Sequence, residues 1–220
     1  MIWVFDLDDT LYPEITFVKS GFKAVAHWLG NEFGLNKNEA FDQMLQSLAE
    51  KGRGEIFNDV LKKHHLFSKK LLKKCIQKYR LHYPEIKLYP EAKSCLERLN
   101  NFPIYIVTDG HKVVQYNKVK ALHLDRYTKH IYITYRYGIK HSKPSRYCFE
   151  LIAKRENASF NQIVYVADNP IKDFIGIKPY GFKTIRVLQG NYKNLKMDED
   201  HEAEININSL CEINPDIFHY

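Results

Sequence analysis

The chain has 220 residues, of which 45% are hydrophobic, and a formal net charge of +7 at pH 7. This length and this apolar content are typical of a globular protein with a sizeable core, and they exclude a disordered chain. The sequence contains no apolar run near the roughly 18 residues of a membrane span, no secretory leader and no Cys-x-x-Cys pair among its four cysteines, so we expect a cytoplasmic protein with reduced thiols and no membrane contact.

The first predicted element is a strand over residues 2–5, an apolar run rich in β-forming residues. Such runs are typical of parallel sheets covered on both faces, and ligands bind beyond the carboxyl ends of those strands. Asp6 and Asp8 follow, and the two-residue period of an extended chain would place both side chains on one side. One carboxylate can then attack a phosphoryl group while the other exchanges a proton, with Mg²⁺ between the anions. An ordinary strand-to-loop junction can carry the same residues.

Residues 17–83 interrupt the strand pattern and are predicted to form several helices. The apolar face of the first helix is predicted to contain Phe22, Val25, Trp28, Leu29 and Phe33. We therefore expect a helical domain over residues 15–85, inserted into a core domain of residues 1–14 and 86–220.

Much of the positive charge lies in a lysine-rich segment, residues 62–74. A nucleic-acid surface would interleave basic with aromatic side chains, whereas this segment carries an apolar helical stripe. We therefore favour a solvent-facing helix over a nucleic-acid partner, with electrostatic steering of phosphate substrates as a further alternative.

After the helical stretch, apolar strand-like runs alternate with helical patterns. The predicted strands are 104–107, 131–134, 163–167, 182–187 and 203–207, and the predicted helices lie near 91–100, 111–122, 145–156 and 170–178. This alternation predicts a parallel α/β sheet.

Two polar motifs follow the second strand. Thr108, Asp109 and Gly110 lie between that strand and a helix, where a hydroxyl and free backbone N–H groups can bind a phosphate oxygen. A capped glycine turn is the alternative. Lys143 precedes Pro144, which lies in the first turn of another helix and would hold the lysine pointing inward, although a lysine at such a position is commonly solvated.

The strand over residues 163–167 is followed by Asp168 and Asp173. Asp168 can complete a Mg²⁺ site as a direct ligand, and Asp173 can hold waters or Lys143 in place. A turn with an Asp helix cap would look the same in isolation. Polar motifs at the carboxyl ends of several strands in one sheet, however, point to one shared site.

The four motifs are Asp6–Thr10, Thr108–Gly110, Lys143–Pro144 and Asp168–Asp173. In this order they resemble the four motifs of the haloacid dehalogenase-like hydrolase superfamily, across almost the whole chain. The resemblance implies a Rossmann-like parallel sheet with an inserted helical cap. It also implies Mg²⁺ as the cofactor and an aspartyl-phosphate intermediate.

By this resemblance, Asp6 is the nucleophile and a metal ligand. Asp8 is the general acid/base and binds the metal through its backbone carbonyl. Lys143 balances the charge on the nucleophile and on the phosphate.

The resemblance also implies roles for the remaining motif residues. Thr108, the Asp109 backbone and Gly110 hold the phosphoryl oxygens, while Asp168 binds the metal with Asp173 in support. Asp109 stands where asparagine is frequent in the superfamily, and a carboxylate pointing into the site would alter the leaving-group preference.

The presence of Asp8 favours a phosphatase over a dehalogenase, because only the departing alcohol of a phosphate ester gains from protonation. We expect a small-molecule phosphate monoester as substrate: a nucleotide, flavin mononucleotide or a sugar phosphate. A phosphomutase or phosphotransferase of the same fold, or a non-catalytic protein that binds a phosphate ligand, is the alternative. The candidates for substrate contacts are Tyr12, Phe17, Lys19, Arg53 and Phe57, although we favour a core or surface position for each of them.

Overall fold

A six-stranded parallel sheet is the centre of the computed structural model, which describes residues 1–218. The strands are β1 (Ile2–Phe5), β2 (Ile104–Thr108), β3 (His130–Ile133), β4 (Ile163–Ala167), β5 (Lys183–Val187) and β6 (Ile205–Ile207). Their order across the sheet is β3-β2-β1-β4-β5-β6, so the direction of chain progression reverses next to β1. Open parallel sheets bind ligands at such a reversal. The predicted Rossmann-like α/β fold is confirmed.

The three central strands bring their carboxyl ends to one edge of the sheet. All residues of β1, β2 and β4 are buried, which explains why these strands are continuously apolar and do not alternate. Phe5, the last residue of β1, pairs with Ile106 of β2 and with Val166 of β4. The polar residues that end or follow these strands therefore emerge side by side.

Residues Ile15–Ile86 form one compact helical unit. Its helices are α1 (Glu14–Phe33, which begins one residue before the unit), α2 (Lys37–Lys51), α3 (Ile56–Lys63) and α4 (Lys69–Leu81). Phe22, Val25 and Leu29 of α1 are buried in its core, as the apolar pattern predicts. Phe33 is instead 42% exposed, because it occupies the last position of α1; its ring packs edge-on against Trp28.

The second unit contains Met1–Glu14 and the chain from Lys87 onward. Its helices are α5 (Pro90–Arg98), α6 (Lys112–Ala121) and α7 (Tyr147–Glu156). Their bounds lie within two residues of the predicted ones at each end. Among the residues described, 1–218, we find no helix with both the length and the apolar character needed to span a membrane.

The helix predicted near residues 170–178 is wrong, because this segment forms turns. Asp173 accepts a hydrogen bond from the backbone N–H of Asn169 at 3.1 Å, and such local side-chain bonds compete with helical ones. Gly176 also lies directly against the Pro144 carbonyl, whose oxygen would be 1.6 Å from an added Cβ. Tertiary contact with a neighbouring loop therefore determines the path of the segment.

Candidate active site

Lys143 connects two carboxylates beyond the ends of β1 and β4. Its Nζ lies 2.7 Å from Oδ1 of Asp6 and 2.7 Å from Oδ1 of Asp173, and it donates to the Tyr165 hydroxyl at 2.9 Å. All four side chains are buried. Burial opposes the charge on the ammonium, but the two carboxylates outweigh burial and raise the pKa of Lys143 well above its ordinary value. The lysine is therefore a fixed positive charge beside Asp6.

Asp6, Asp168 and Asp173 form a compact cluster of carboxylates. One oxygen of each lies within 4.8 Å of the others. Burial raises the pKa of Asp168 to about 9, and the negative charges of Asp6 and Asp173 add to that effect. Burial also raises the pKa of Asp6 to about 6, against the opposing charge of Lys143. One lysine does not balance three buried carboxylates, and a hard cation with oxygen ligands such as Mg²⁺ fits this donor set.

Asp8 lies in different surroundings from Asp6. Its Oδ1 accepts hydrogen bonds from the Tyr12 hydroxyl at 2.5 Å and from Lys118 Nζ at 2.6 Å, and its Oδ2 accepts one from Gln115 Nε2 at 2.9 Å. Burial by itself would raise the pKa of Asp8, but Lys118 and these hydrogen bonds outweigh burial and lower it. Two carboxylates that differ this much can divide the roles of nucleophile and proton carrier.

Tyr12 and Phe17 occupy positions that rule out stacking on a substrate. Tyr12 is fully buried, and its hydroxyl is committed to Asp8. Phe17 is 3% exposed and packs against Tyr79 within the helical unit. Both were candidates for substrate contacts, with a core or surface position as the favoured alternative, and the structure places both in the core.

Gln115 and Lys118 are two of the site residues that the sequence analysis missed. Both lie on the buried side of α6 together with Val114 and Val119. Lys118 follows Val114 by four residues and precedes Leu122 by four, so it interrupts an apolar helical stripe with a charge. A buried lysine within such a stripe needs a partner, and that interruption is the signal that could have identified it.

Thr108 and Gly110 lie beside the same glutamine. Thr108 ends β2, is 1% exposed, and its Oγ1 accepts a hydrogen bond from Gln115 Nε2 at 2.6 Å. Gly110 has a φ of +133°, and an added Cβ would lie 3.2 Å from the Gln115 side chain. The left-handed backbone and the close approach both favour glycine here.

The Asp109 carboxylate binds protein donors on both of its oxygens. Oδ1 accepts from Thr134 Oγ1 at 2.7 Å and from the Lys143 backbone N–H at 3.2 Å, and Oδ2 accepts from Lys172 Nζ at 3.1 Å. Burial opposes the charge of Asp109, but Lys143 and Lys172 outweigh burial and lower its pKa. The side chain thus connects three loops at the sheet edge, and this fixed position offers no basis for an effect on the leaving group.

Comparison with known proteins relates the chain to one family. The sequence profile of the haloacid dehalogenase-like hydrolases matches residues 3–187. A protein of Methanocaldococcus jannaschii named glyceraldehyde 3-phosphate phosphatase is 28% identical, over 96% of this chain and 93% of its own length. A protein of the same name from Pyrococcus furiosus is 26% identical, over 95% of this chain and 89% of its own length.

Solved structures share the fold at lower sequence identity. A HAD phosphatase from Thermococcus onnurineus is 24% identical with a TM-score of 0.58, over 95% of this chain and 94% of that one. A 2-haloacid dehalogenase from Pseudomonas syringae pv. Tomato DC3000 is 21% identical with a TM-score of 0.65, over 96% of each chain.

Proposed function

The chain belongs to the haloacid dehalogenase-like hydrolases, and we propose that it is a Mg²⁺-dependent phosphatase of a small sugar phosphate that acts through an aspartyl-phosphate on Asp6. One observation carries this proposal: Asp6 and Asp8, two residues apart, lie in separate environments. Asp6 belongs to the carboxylate cluster and pairs with Lys143, as a nucleophile beside a metal would. Asp8 lies apart from the cluster, as a proton carrier for the leaving group would.

The chemistry consists of two displacements. Because Lys143 binds Oδ1 of Asp6, we assign the attack on phosphorus to Oδ2. Asp8, in the protonated form that the water step of each cycle regenerates, gives its proton to the departing alcohol oxygen. Asp8 then takes a proton from water, whose oxygen attacks phosphorus and releases Asp6. The Thr108 hydroxyl donates to a phosphoryl oxygen throughout. Mg²⁺, held by Asp6 and Asp168 with Asp173 in support, would offset negative charge on the carboxylates and the phosphoryl group.

The substrate class rests on the relatives. Four proteins that are 25–28% identical to this chain carry the name glyceraldehyde 3-phosphate phosphatase. We therefore infer a short sugar phosphate, and we rank nucleotides and flavin mononucleotide below it. We also propose a cytoplasmic enzyme, because all four cysteines are unpaired, which is typical of a reducing compartment.

The test is phosphate release from glyceraldehyde 3-phosphate, other sugar phosphates, nucleotides and flavin mononucleotide, with Mg²⁺ and with a chelator. We expect Mg²⁺-dependent turnover with preference for the short sugar phosphates, and its loss in Asp6→Asn. Asp9→Asn is the matched control, because it removes the same charge from the same loop. Asp9 accepts the backbone N–H of Glu14 on Oδ1 at 2.8 Å and that of Asn191 on Oδ2 at 3.4 Å. Asparagine keeps an oxygen for the shorter of these bonds, so most activity should remain.

Three results would contradict the proposal. Turnover that survives Asp6→Asn would exclude Asp6 as the nucleophile. Phosphate that moves between two positions of a sugar without release into solution would identify a phosphomutase. Binding of the same compounds with neither reaction would identify a phosphate-binding protein.

A further inference from the structure

Three side chains donate hydrogen bonds to the Asp8 carboxylate: those of Tyr12, Gln115 and Lys118. Gln115 and Lys118 lie three residues apart on α6, so their side chains leave the same face of the helix. Gln115 is 2% exposed and Lys118 is 3% exposed. The mechanism described above uses neither of them.

The hydrogen bonds determine how the Gln115 amide is oriented. An ionised carboxylate only accepts hydrogen bonds, so the amide nitrogen and not the oxygen must face Asp8. The same nitrogen donates its second hydrogen to Thr108 Oγ1 at 2.6 Å. Since the Thr108 oxygen accepts that bond, its own hydrogen is available for a phosphoryl oxygen. One amide group therefore connects the proton carrier with the hydroxyl that binds the transferred group.

Lys118 places an ammonium where an apolar side chain would pack. Its helical neighbours Val114, Val119 and Leu122 are buried, and a charge among them is unfavourable unless it is paired. The ion pair with Asp8 at 2.6 Å supplies that pairing. Replacing a buried ion pair by apolar residues is often neutral or stabilising, so stability is a weak reason to retain one. A role in the reaction is a stronger reason.

We propose that Gln115 and Lys118 are positioning residues for leaving-group departure, which hold the Asp8 carboxyl at a set distance from the Thr108 hydroxyl and its phosphoryl group. This inference rests on the proposed phosphatase function. As the ester P–O bond breaks, the Asp8 proton passes to the alcohol oxygen, and the carboxylate that remains is the form bound by Lys118 and Gln115. Gln115 and Lys118 therefore raise kcat/KM most for an ester whose leaving group must be protonated.

The test compares two phosphate esters by kcat/KM, which covers the steps through departure of the alcohol. 4-Nitrophenyl phosphate has a leaving group that departs without a proton, whereas glyceraldehyde 3-phosphate releases an alkyl alcohol that needs one. For Lys118→Met we expect a fall of about 100-fold or more on the alkyl ester, and less than about tenfold on the aryl ester. Lys118→Arg, which keeps the charge, should recover part of the loss on the alkyl ester.

Gln115→Leu is the second variant and serves if Lys118→Met does not fold. It removes the donor to both Asp8 and Thr108, so we expect losses on both esters with the larger loss on the alkyl one. The matched control is Lys120→Met, on the same helix, because Lys120 is exposed and its nearest anionic partner is Asp125 at 3.7 Å. The control should leave the ratio of the two kcat/KM values unchanged.

Three outcomes of this comparison test the role of Gln115 and Lys118. A selective loss on the alkyl ester, in variants whose thermal unfolding shows a folded chain, supports the inference. Equal losses on both esters, or no loss, would overturn it while leaving the phosphatase function in place. No wild-type turnover of either ester with Mg²⁺ would instead refute the proposed function, and with it the inference.

Discussion

Replacing Lys143 by methionine tests how the charges of the site are balanced. The Lys143 ammonium lies 2.7 Å from both Asp6 and Asp173, in a buried environment. Methionine has a similar length and flexibility, so the substitution removes the charge with little change in packing. Removing one partner of a buried ion pair costs about 3–5 kcal/mol. Because Asp6 and Asp173 both lose the lysine, we expect the upper part of that range.

The assay is urea unfolding in the presence of a chelator, since a bound cation would substitute for the missing ammonium. With an m value of about 2–3 kcal/mol/M for a chain of this size, the midpoint should fall by about 1.5–2 M. The control is Lys172→Met. Lys172 also pairs with a carboxylate, that of Asp109 at 3.1 Å, but its side chain is 33% exposed, so we expect a loss of at most about 1 kcal/mol.

A second substitution separates the charge effect from a packing effect. Asp173→Asn removes one of the carboxylates that Lys143 balances. In the Lys143→Met background it should therefore recover part of the lost stability, whereas in the wild-type background it should destabilise the protein. If Lys143→Met left the urea midpoint unchanged, or if the two substitutions simply added, our account of the charge balance would be refuted.

The remaining predictions concern the loop after β4 and the metal ligands. Gly176→Ala should destabilise the protein by several kcal/mol or prevent folding, because the added Cβ would overlap the Pro144 carbonyl. Gly54→Ala is the control and should change the thermal midpoint little, because the space around Gly54 is open. Equal thermal midpoints for the two variants would contradict the contact between Gly176 and Pro144. Asp168→Asn should raise the Mg²⁺ concentration needed for half-maximal activity by about 10- to 100-fold, and an unchanged Mg²⁺ requirement would remove Asp168 from the ligand set.

The local pattern of the sequence was sufficient to predict most of the elements and their class. Apolar-rich runs identified the six strands to within two residues. The runs are most continuous in β1, β2 and β4, because strands buried on both faces need no alternation. The motif residues at the strand ends could also be predicted to meet, since parallel strands bring their carboxyl ends to one edge. The prediction of a helix near residues 170–178 was wrong, because the tertiary contact of Gly176 with Pro144 overrides local helix propensity.

The partners of Asp8 were decided by the tertiary structure alone. The four motifs implied that Lys143 balances the charge of Asp6, 137 residues away, but no motif includes Lys118, which lies 110 residues from Asp8. The apolar stripe around Lys118 indicated that the lysine needs a partner, but nothing in the sequence indicated that the partner is Asp8. Only the register of the strands and the direction in which α6 faces bring them within hydrogen-bond distance. Electrostatic interactions depend on distance in space, and distance along the chain does not specify it.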